Sequence, residues 1–76
     1  MVINPNHRYA ILNSSRGSRL VETTNDYDRA IKRADYLTGE NQSPMEVKDR
    51  YSRNKHGKSV VIYSTEFVPG YRGKVV

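Results

Sequence analysis

One apolar stripe with helical spacing divides this chain into two halves and limits the folds it can adopt. Its members fall at i, i+3, i+4, i+7 and i+10 and are Tyr27, Ala30, Ile31, Ala34 and Leu37. This spacing places side chains on one face of an α-helix. The stripe therefore predicts one amphipathic helix, capped at its start by Asn25 and ended near Gly39.

Strand-like segments lie on both sides of the predicted helix. Before it, residues 7–13 and 19–24 have alternating or β-branched character, and a cluster of turn formers separates them. After it, residues 45–51 and 59–64 form a second pair of such segments. The order ββαββ predicts a small α+β domain, in which a four-stranded, mainly antiparallel sheet carries one helix on one face.

The length of 76 residues allows one domain with a small core. A chain of this size buries about 60% of the surface that its unfolded form exposes, and a substrate pocket of roughly 300 Å³ needs walls that such a thin core rarely supplies. The domain is expected to span residues 1–66, followed by residues 67–76 as a mobile tail or a short added strand. We therefore expect a binding protein and not an enzyme.

The absence of cysteine and the scarcity of histidine restrict the chemistry further. Without thiols the chain has no disulfide and no cysteine nucleophile. His7 and His56 show no metal-ligand spacing, so no metal ion or cofactor is expected. The chain also shows no signal-peptide pattern and no apolar run of about 18 residues. These features predict a cytoplasmic protein without a membrane contact.

The segment SRNKHGKS, residues 52–59, partly matches a phosphate-binding loop. The match holds at Gly57, Lys58 and Ser59, but Ser52 occupies the position of the first glycine. Such a loop also needs a following helix, whose first amides bind phosphate. Because strand-like residues follow here, the segment predicts a charged hairpin loop and not a site of nucleotide hydrolysis.

Positive charge is concentrated in the second predicted hairpin. The formal charge of the chain is +5, and residues 48–58 hold five Lys or Arg residues against one acid, Asp49. Such cations bind nucleic-acid phosphates, and Tyr51 among them is placed to stack on a base, although strand alternation also fits Tyr51 as a core residue. The predicted nucleic-acid-binding residues are Lys48, Arg50, Tyr51, Arg53, Lys55, His56 and Lys58. They favour a nucleic-acid-binding protein or a regulator of nucleic-acid machinery.

A second surface supports an alternative function. One helix covers only one face of a sheet, and the last predicted strand is apolar on both faces. The residues expected on the uncovered face are Leu12, Val21, Val61 and Tyr63. Unless the tail covers it, an apolar patch of this kind is typical of a site for a protein partner or a second copy of the chain. The protein would then be a regulator or inhibitor that docks through its sheet.

The predicted hairpin register buries a carboxylate. If Tyr51 pairs with Lys58, then Lys48 and Arg50 project outwards and Asp49 points inwards. An unpartnered buried carboxylate is costly. We therefore expect one of three outcomes: a bulge turns Asp49 outwards, a cation such as Arg8 or Arg19 reaches it, or the register differs.

Overall fold

A computed structural model describes residues 3–67. The elements in chain order are β1 (Tyr9–Asn13), β2 (Arg19–Thr24), α1 (Tyr27–Asn41), β3 (Met45–Arg53) and β4 (Ser59–Ser64). The strands form one antiparallel sheet in the order β2-β1-β3-β4, and α1 contacts its first three strands. The predicted α+β fold with ββαββ order is confirmed. Residues 68–76 of the predicted tail lie outside the described residues.

The core lies between α1 and one face of the sheet. Its buried apolar side chains are Tyr9, Ile11, Ala30, Ala34, Leu37, Met45 and Val47. The helical stripe supplies three of them, as its spacing predicted, while Tyr27 at the start of the helix is exposed. The two central helix positions are alanines without exposed surface, so the seam between helix and sheet has no room for a longer side chain.

The helix begins one residue later than the predicted cap implies. Asp26 and not Asn25 caps the first turn, because the Asp26 carboxylate accepts a hydrogen bond from the backbone N–H of Arg29 at 3.2 Å. The Asn25 side chain is used differently: its Oδ1 accepts from the backbone N–H of Arg8 at 2.8 Å. Asn25 therefore ties the segment before β1 to the segment after β2.

The helix also continues past its predicted end. Gly39 lies inside α1, which runs to Asn41, and Gln42 adopts the left-handed conformation that was expected of Gly39. An internal glycine costs a helix about 1 kcal/mol relative to alanine. Packing outweighs this cost, since Leu37 and Thr38 in the last turns are both buried against the sheet.

The pairing of β3 with β4 differs from the predicted register. Pairing of Tyr51 with Lys58 would place Val47 opposite Ile62, but Val47 lies opposite Tyr63, and the register shifts at the next residue, so that Ile62 has no partner. Ile62 instead packs against the core, which explains the bulge: the strand gains a core contact by leaving one residue out of the ladder. The prediction that Asp49 lies inwards is confirmed, because it pairs with Val60 and is buried.

A second buried carboxylate, which no sequence pattern had indicated, joins the helix to the edge strand β2. Glu22 is 3% exposed, and its carboxylate accepts hydrogen bonds from Arg33 Nε at 3.0 Å and Arg33 Nη2 at 2.7 Å. The paired geometry satisfies both oxygens of the carboxylate. Among the side chains of residues 3–67 that the structure describes, every buried N or O atom has a hydrogen-bond partner.

Candidate nucleic-acid interface

The second hairpin leaves the body of the protein at Asp49. This residue is 5% exposed, and its carboxylate accepts hydrogen bonds from Arg8 Nε at 3.0 Å and Arg8 Nη2 at 2.9 Å. It accepts two more from the N–H of Tyr51 at 3.0 Å and the hydroxyl of Ser52 at 3.1 Å. Residues 50–52 have no partner on β4. Of the expected outcomes, the cation is the one that resolves the burial of Asp49, since Arg8 reaches the carboxylate; the bulge follows Asp49 and does not turn it outwards.

The hydrogen bonds to Asp49 make its ionised form part of the folded state. The Arg8 hydrogen bonds outweigh the effect of burial and lower the Asp49 pKa from 3.8 to about 2, with further help from Tyr51 and Ser52. A carboxyl whose pKa is lower in the folded state stabilises the fold above its unfolded pKa, and this stabilisation is lost as the pH falls through the folded pKa. The thermal midpoint should therefore decrease as the pH falls from about 4 to about 2.

Thermal melts of the wild type and Asp49→Asn between pH 7 and pH 2 measure this effect. The neutral amide of the variant cannot bind Arg8 as a carboxylate does, so the variant should melt at a lower temperature near neutral pH and lose less across the acidic window. Equal losses in both proteins between about pH 4 and about pH 2 would show that other groups determine the acid response.

The turn at the end of the hairpin is held by Asn54. Its Oδ1 accepts hydrogen bonds from the backbone N–H groups of His56 at 2.9 Å and Lys58 at 3.1 Å. Its own N–H donates to the Lys58 carbonyl at 2.8 Å. Gly57 has a φ of +76°, which strains most other residues. The turn is therefore internally bonded, and it presents Lys55, His56 and Lys58 on a defined backbone.

The seven predicted nucleic-acid-binding residues divide into two groups. The exposed residues, which lie together from the bulge to the turn, are Tyr51, Arg53, Lys55, His56 and Lys58. Lys48 and Arg50 are half-buried and alternate with Val47 and Asp49, so they lie on the sheet face opposite α1. Both cations thus project away from the core, as predicted, and Arg50 contacts the N-terminal segment on this face.

The N-terminal segment, residues 3–7, contacts Arg50 and Thr23, and no sequence pattern had predicted these contacts. Nη1 of Arg50 donates to the carbonyls of Asn4 at 3.1 Å and His7 at 3.2 Å. The N–H of Asn4 donates to the hydroxyl of buried Thr23 at 2.7 Å. Arg50 therefore holds the segment in place, and one of its guanidinium nitrogens is already hydrogen-bonded within the protein.

No acid offsets the exposed cations of the hairpin. Residues 50–59 contain neither Asp nor Glu, and the ion pairs found within residues 3–67 are Arg8–Asp49 and Arg33–Glu22. Nη1 of Arg53 does bond across the hairpin, but to the neutral hydroxyl of Ser59 at 3.0 Å. The positive charge at this end of the molecule is thus not cancelled by neighbouring carboxylates in the described part of the chain.

Tyr51 is exposed and not a core residue. It is 68% exposed, and the Arg8 guanidinium carbon lies 5.5 Å from its ring centroid. The same guanidinium lies 5.3 Å from the ring centroid of Tyr9 on the other strand. The Tyr51 hydroxyl donates to the Asn6 carbonyl at 3.3 Å. The ring is therefore held at the base of the hairpin by Arg8 while much of its surface faces solvent.

The alternative apolar surface is not continuous. Tyr63 lies on the helix side, where its hydroxyl donates to Asp35 Oδ1 at 2.6 Å; this bond, together with burial, raises the Tyr63 pKa to about 12. Val21 also packs against the core. Leu12, half-buried, and Val61, 45% exposed, remain on the other face. The predicted four-residue patch is wrong, because register shifts in both outer strands change which side chains share a face.

Other features of residues 3–67 add no further site. No group of three or more His, Asp or Glu in this range could hold a metal ion. The strand β4 begins at Ser59, so the segment that resembles a phosphate loop is followed by a strand, as predicted. In the same range no helix has the length and apolar character needed to cross a membrane.

The arrangement that remains is a short β-hairpin with a bonded turn, unpaired cations and an exposed, supported tyrosine ring. Such a surface can bind a polyanion, and its aromatic ring can contact an apolar or planar group. No family model, curated protein or solved structure matches this chain.

Proposed function

We propose that this protein binds nucleic acid through residues 51–58, named here the basic hairpin. The observation that carries the proposal is the gathering of three exposed cations without acid partners, Arg53 at the end of β3 and Lys55 and Lys58 on the bonded turn that follows it. Cations spread evenly over a surface mainly affect solubility, whereas a local cluster creates a field that attracts and orients a polyanion. A cationic β-ribbon with an exposed aromatic side chain is best suited to nucleic acid among polyanions, because its cations contact phosphates and its ring can stack on a nucleobase.

Three of the side chains in the basic hairpin supply the phosphate contacts. Arg53 has further guanidinium donors beside the one bonded to Ser59, and Lys55 and Lys58 extend from the turn as mobile point charges. Exposed His56 adds a hydrogen-bond donor. Lys48 and Arg50 are not counted among the phosphate contacts, since both are half-buried on the sheet face opposite α1. Neutralising phosphates releases condensed counterions, so affinity must fall as salt rises.

The salt dependence of binding is the first test. Three phosphate contacts predict a slope of log K against log salt near −2.1 for a single strand and near −2.7 for a duplex. Raising salt fourfold should then weaken binding about 18- to 42-fold. Reversing two charges with Arg53→Glu and Lys55→Glu should reduce the slope to about −0.7 to −0.9, because one contact remains. Fluorescence anisotropy with a labelled oligonucleotide over a salt series measures both values.

A matched double reversal on the helix provides the control. Arg29 and Lys32 are exposed on α1, so Arg29→Glu with Lys32→Glu changes the net charge by the same amount away from the basic hairpin. This control should keep the wild-type slope, reduced only by the weaker general field. A loss equal to that of the hairpin variant would mean that net charge, and not the hairpin, determines binding, which would contradict the proposal.

A further inference from the structure

We infer that the basic hairpin binds single-stranded nucleic acid, with one base stacked on Tyr51. This inference rests on the proposed function, since it names the form of nucleic acid and the residue that contacts a base. It starts from the most exposed large hydrophobic side chain in the described part of the chain, which is Tyr51. An exposed aromatic ring beside unpaired cations is the usual composition of a single-strand site.

The Tyr51 ring is positioned before any ligand binds. Asp49 fixes the Arg8 guanidinium through two hydrogen bonds, and the Arg8 guanidinium carbon lies 5.3 Å from the ring centroid of Tyr9 and 5.5 Å from that of Tyr51. The Tyr51 hydroxyl is held by the Asn6 carbonyl. A ring that is already held loses little conformational freedom when a base stacks on it, so more of the stacking free energy appears as affinity.

The ring also lies beside the phosphate-binding side chains. Along β3, Tyr51 and Arg53 are both exposed and are separated by one residue, half-buried Ser52. Residues two apart on a strand are about 6.6 Å apart. A nucleotide whose base covers Tyr51 therefore has its phosphates within reach of Arg53, and the strand can continue towards Lys55 and Lys58 at the turn.

A duplex cannot use this arrangement fully. Its bases stack on each other and present only their edges in the grooves, so the ring of Tyr51 finds no free base face. A duplex would then contact the phosphate-binding cations alone, whereas a single strand contacts the cations and the ring. The wild-type protein should therefore bind a single strand more tightly than a duplex of equal length.

An abasic strand distinguishes the contribution of the Tyr51 ring to affinity from the contribution of the charges. The probes are a labelled single strand of about 12 nucleotides, within the site size of a small single-strand-binding module, and a strand of equal length that carries abasic sugars throughout. Tyr51→Ala should weaken binding to the base-bearing strand about 5- to 150-fold, the range for loss of one base stack. It should leave the abasic affinity and the salt slope unchanged. Tyr51→Phe keeps the ring and should stay near wild type.

The outcomes distinguish this inference from the function on which it rests. If the wild type binds both strands with the expected salt slope and Tyr51→Ala changes neither affinity, the inference is overturned and the proposed function stands. If Tyr51→Phe loses as much affinity for the base-bearing strand as Tyr51→Ala, then the hydroxyl and not the ring is responsible for binding, and the inference is also overturned. If the wild type binds a duplex but neither single strand, the inference is overturned and the proposed function stands; if it binds none of these probes, the proposed function itself fails. Repeating the series with RNA shows which sugar the site prefers, and a selective Tyr51→Ala loss with either strand supports the inference.

Discussion

Replacing Ala34 with aspartate is expected to leave the protein unfolded at neutral pH. Ala34 has no exposed surface and faces the sheet from the middle of α1. A carboxylate at this position would be ionised and buried without a partner, which costs several kcal/mol, and it would also overfill the seam. A domain of 76 residues is stable by about 4–11 kcal/mol in total. The substitution therefore removes much or all of the free energy of unfolding.

Far-ultraviolet circular dichroism and a urea titration measure this loss, with Tyr36→Asp as the matched control. Tyr36 lies on the same helix but is exposed, and its ring contacts Arg33 at the surface. Tyr36→Asp introduces the same charge and should cost less than about 1 kcal/mol. A folded Ala34→Asp variant with a wild-type urea midpoint would show that α1 does not pack on the sheet through Ala34.

This prediction depends on the part of the fold that the sequence could specify. Helical period and strand alternation are local patterns, because each is determined by the geometry of neighbouring residues. They were sufficient for the element order, for the buried stripe of α1 and for the antiparallel sheet. The helix ends were less predictable, since Gly39 is retained inside α1 by the burial of Leu37 and Thr38, a tertiary effect that outweighs local propensity.

The strand register could not be predicted from alternation alone. A bulge changes the face of every later residue by adding one position, and both outer strands contain a register shift. Val21 and Tyr63 were assigned to the open face for this reason and lie against the core instead. One signal did exist: an inward Asp49 required a partner, and Arg8 was one of the cations that could supply it.

The candidate site shows the same division between local and long-range information. The concentration of cations after Lys48 can be seen in the sequence, because it is a property of consecutive residues. The support for Tyr51 cannot be seen there, since Arg8 and, in the N-terminal segment, Asn6 lie more than forty residues earlier in the chain. The same segment occupies Arg50. Only the structure therefore distinguishes the cations that are exposed to a ligand from the cations that form contacts within the protein.

Replacing Arg33 with methionine is expected to destabilise the protein by about 3–5 kcal/mol, because it leaves the buried Glu22 carboxylate without its cation. Glu22→Gln should cost less, since Arg33 lies about one third exposed and can turn towards water. The double variant Glu22→Leu with Arg33→Met should recover much of the loss, because two packed apolar side chains replace an ion pair without a buried charge. Urea unfolding of the three variants gives these free energies.

The same variants test whether the basic hairpin acts independently of this ion pair. Glu22 lies on β2, and the sheet order places β2 and β4 at opposite edges. Distant sites without shared contacts contribute additively, so the folded double variant should bind the single-stranded probe with wild-type affinity and salt slope. If its affinity instead fell while the fold stayed intact, phosphate binding would extend across the sheet towards α1. If Arg33→Met cost less than about 1 kcal/mol, Glu22 would have another means of solvation, and the ion pair would not stabilise the edge strand.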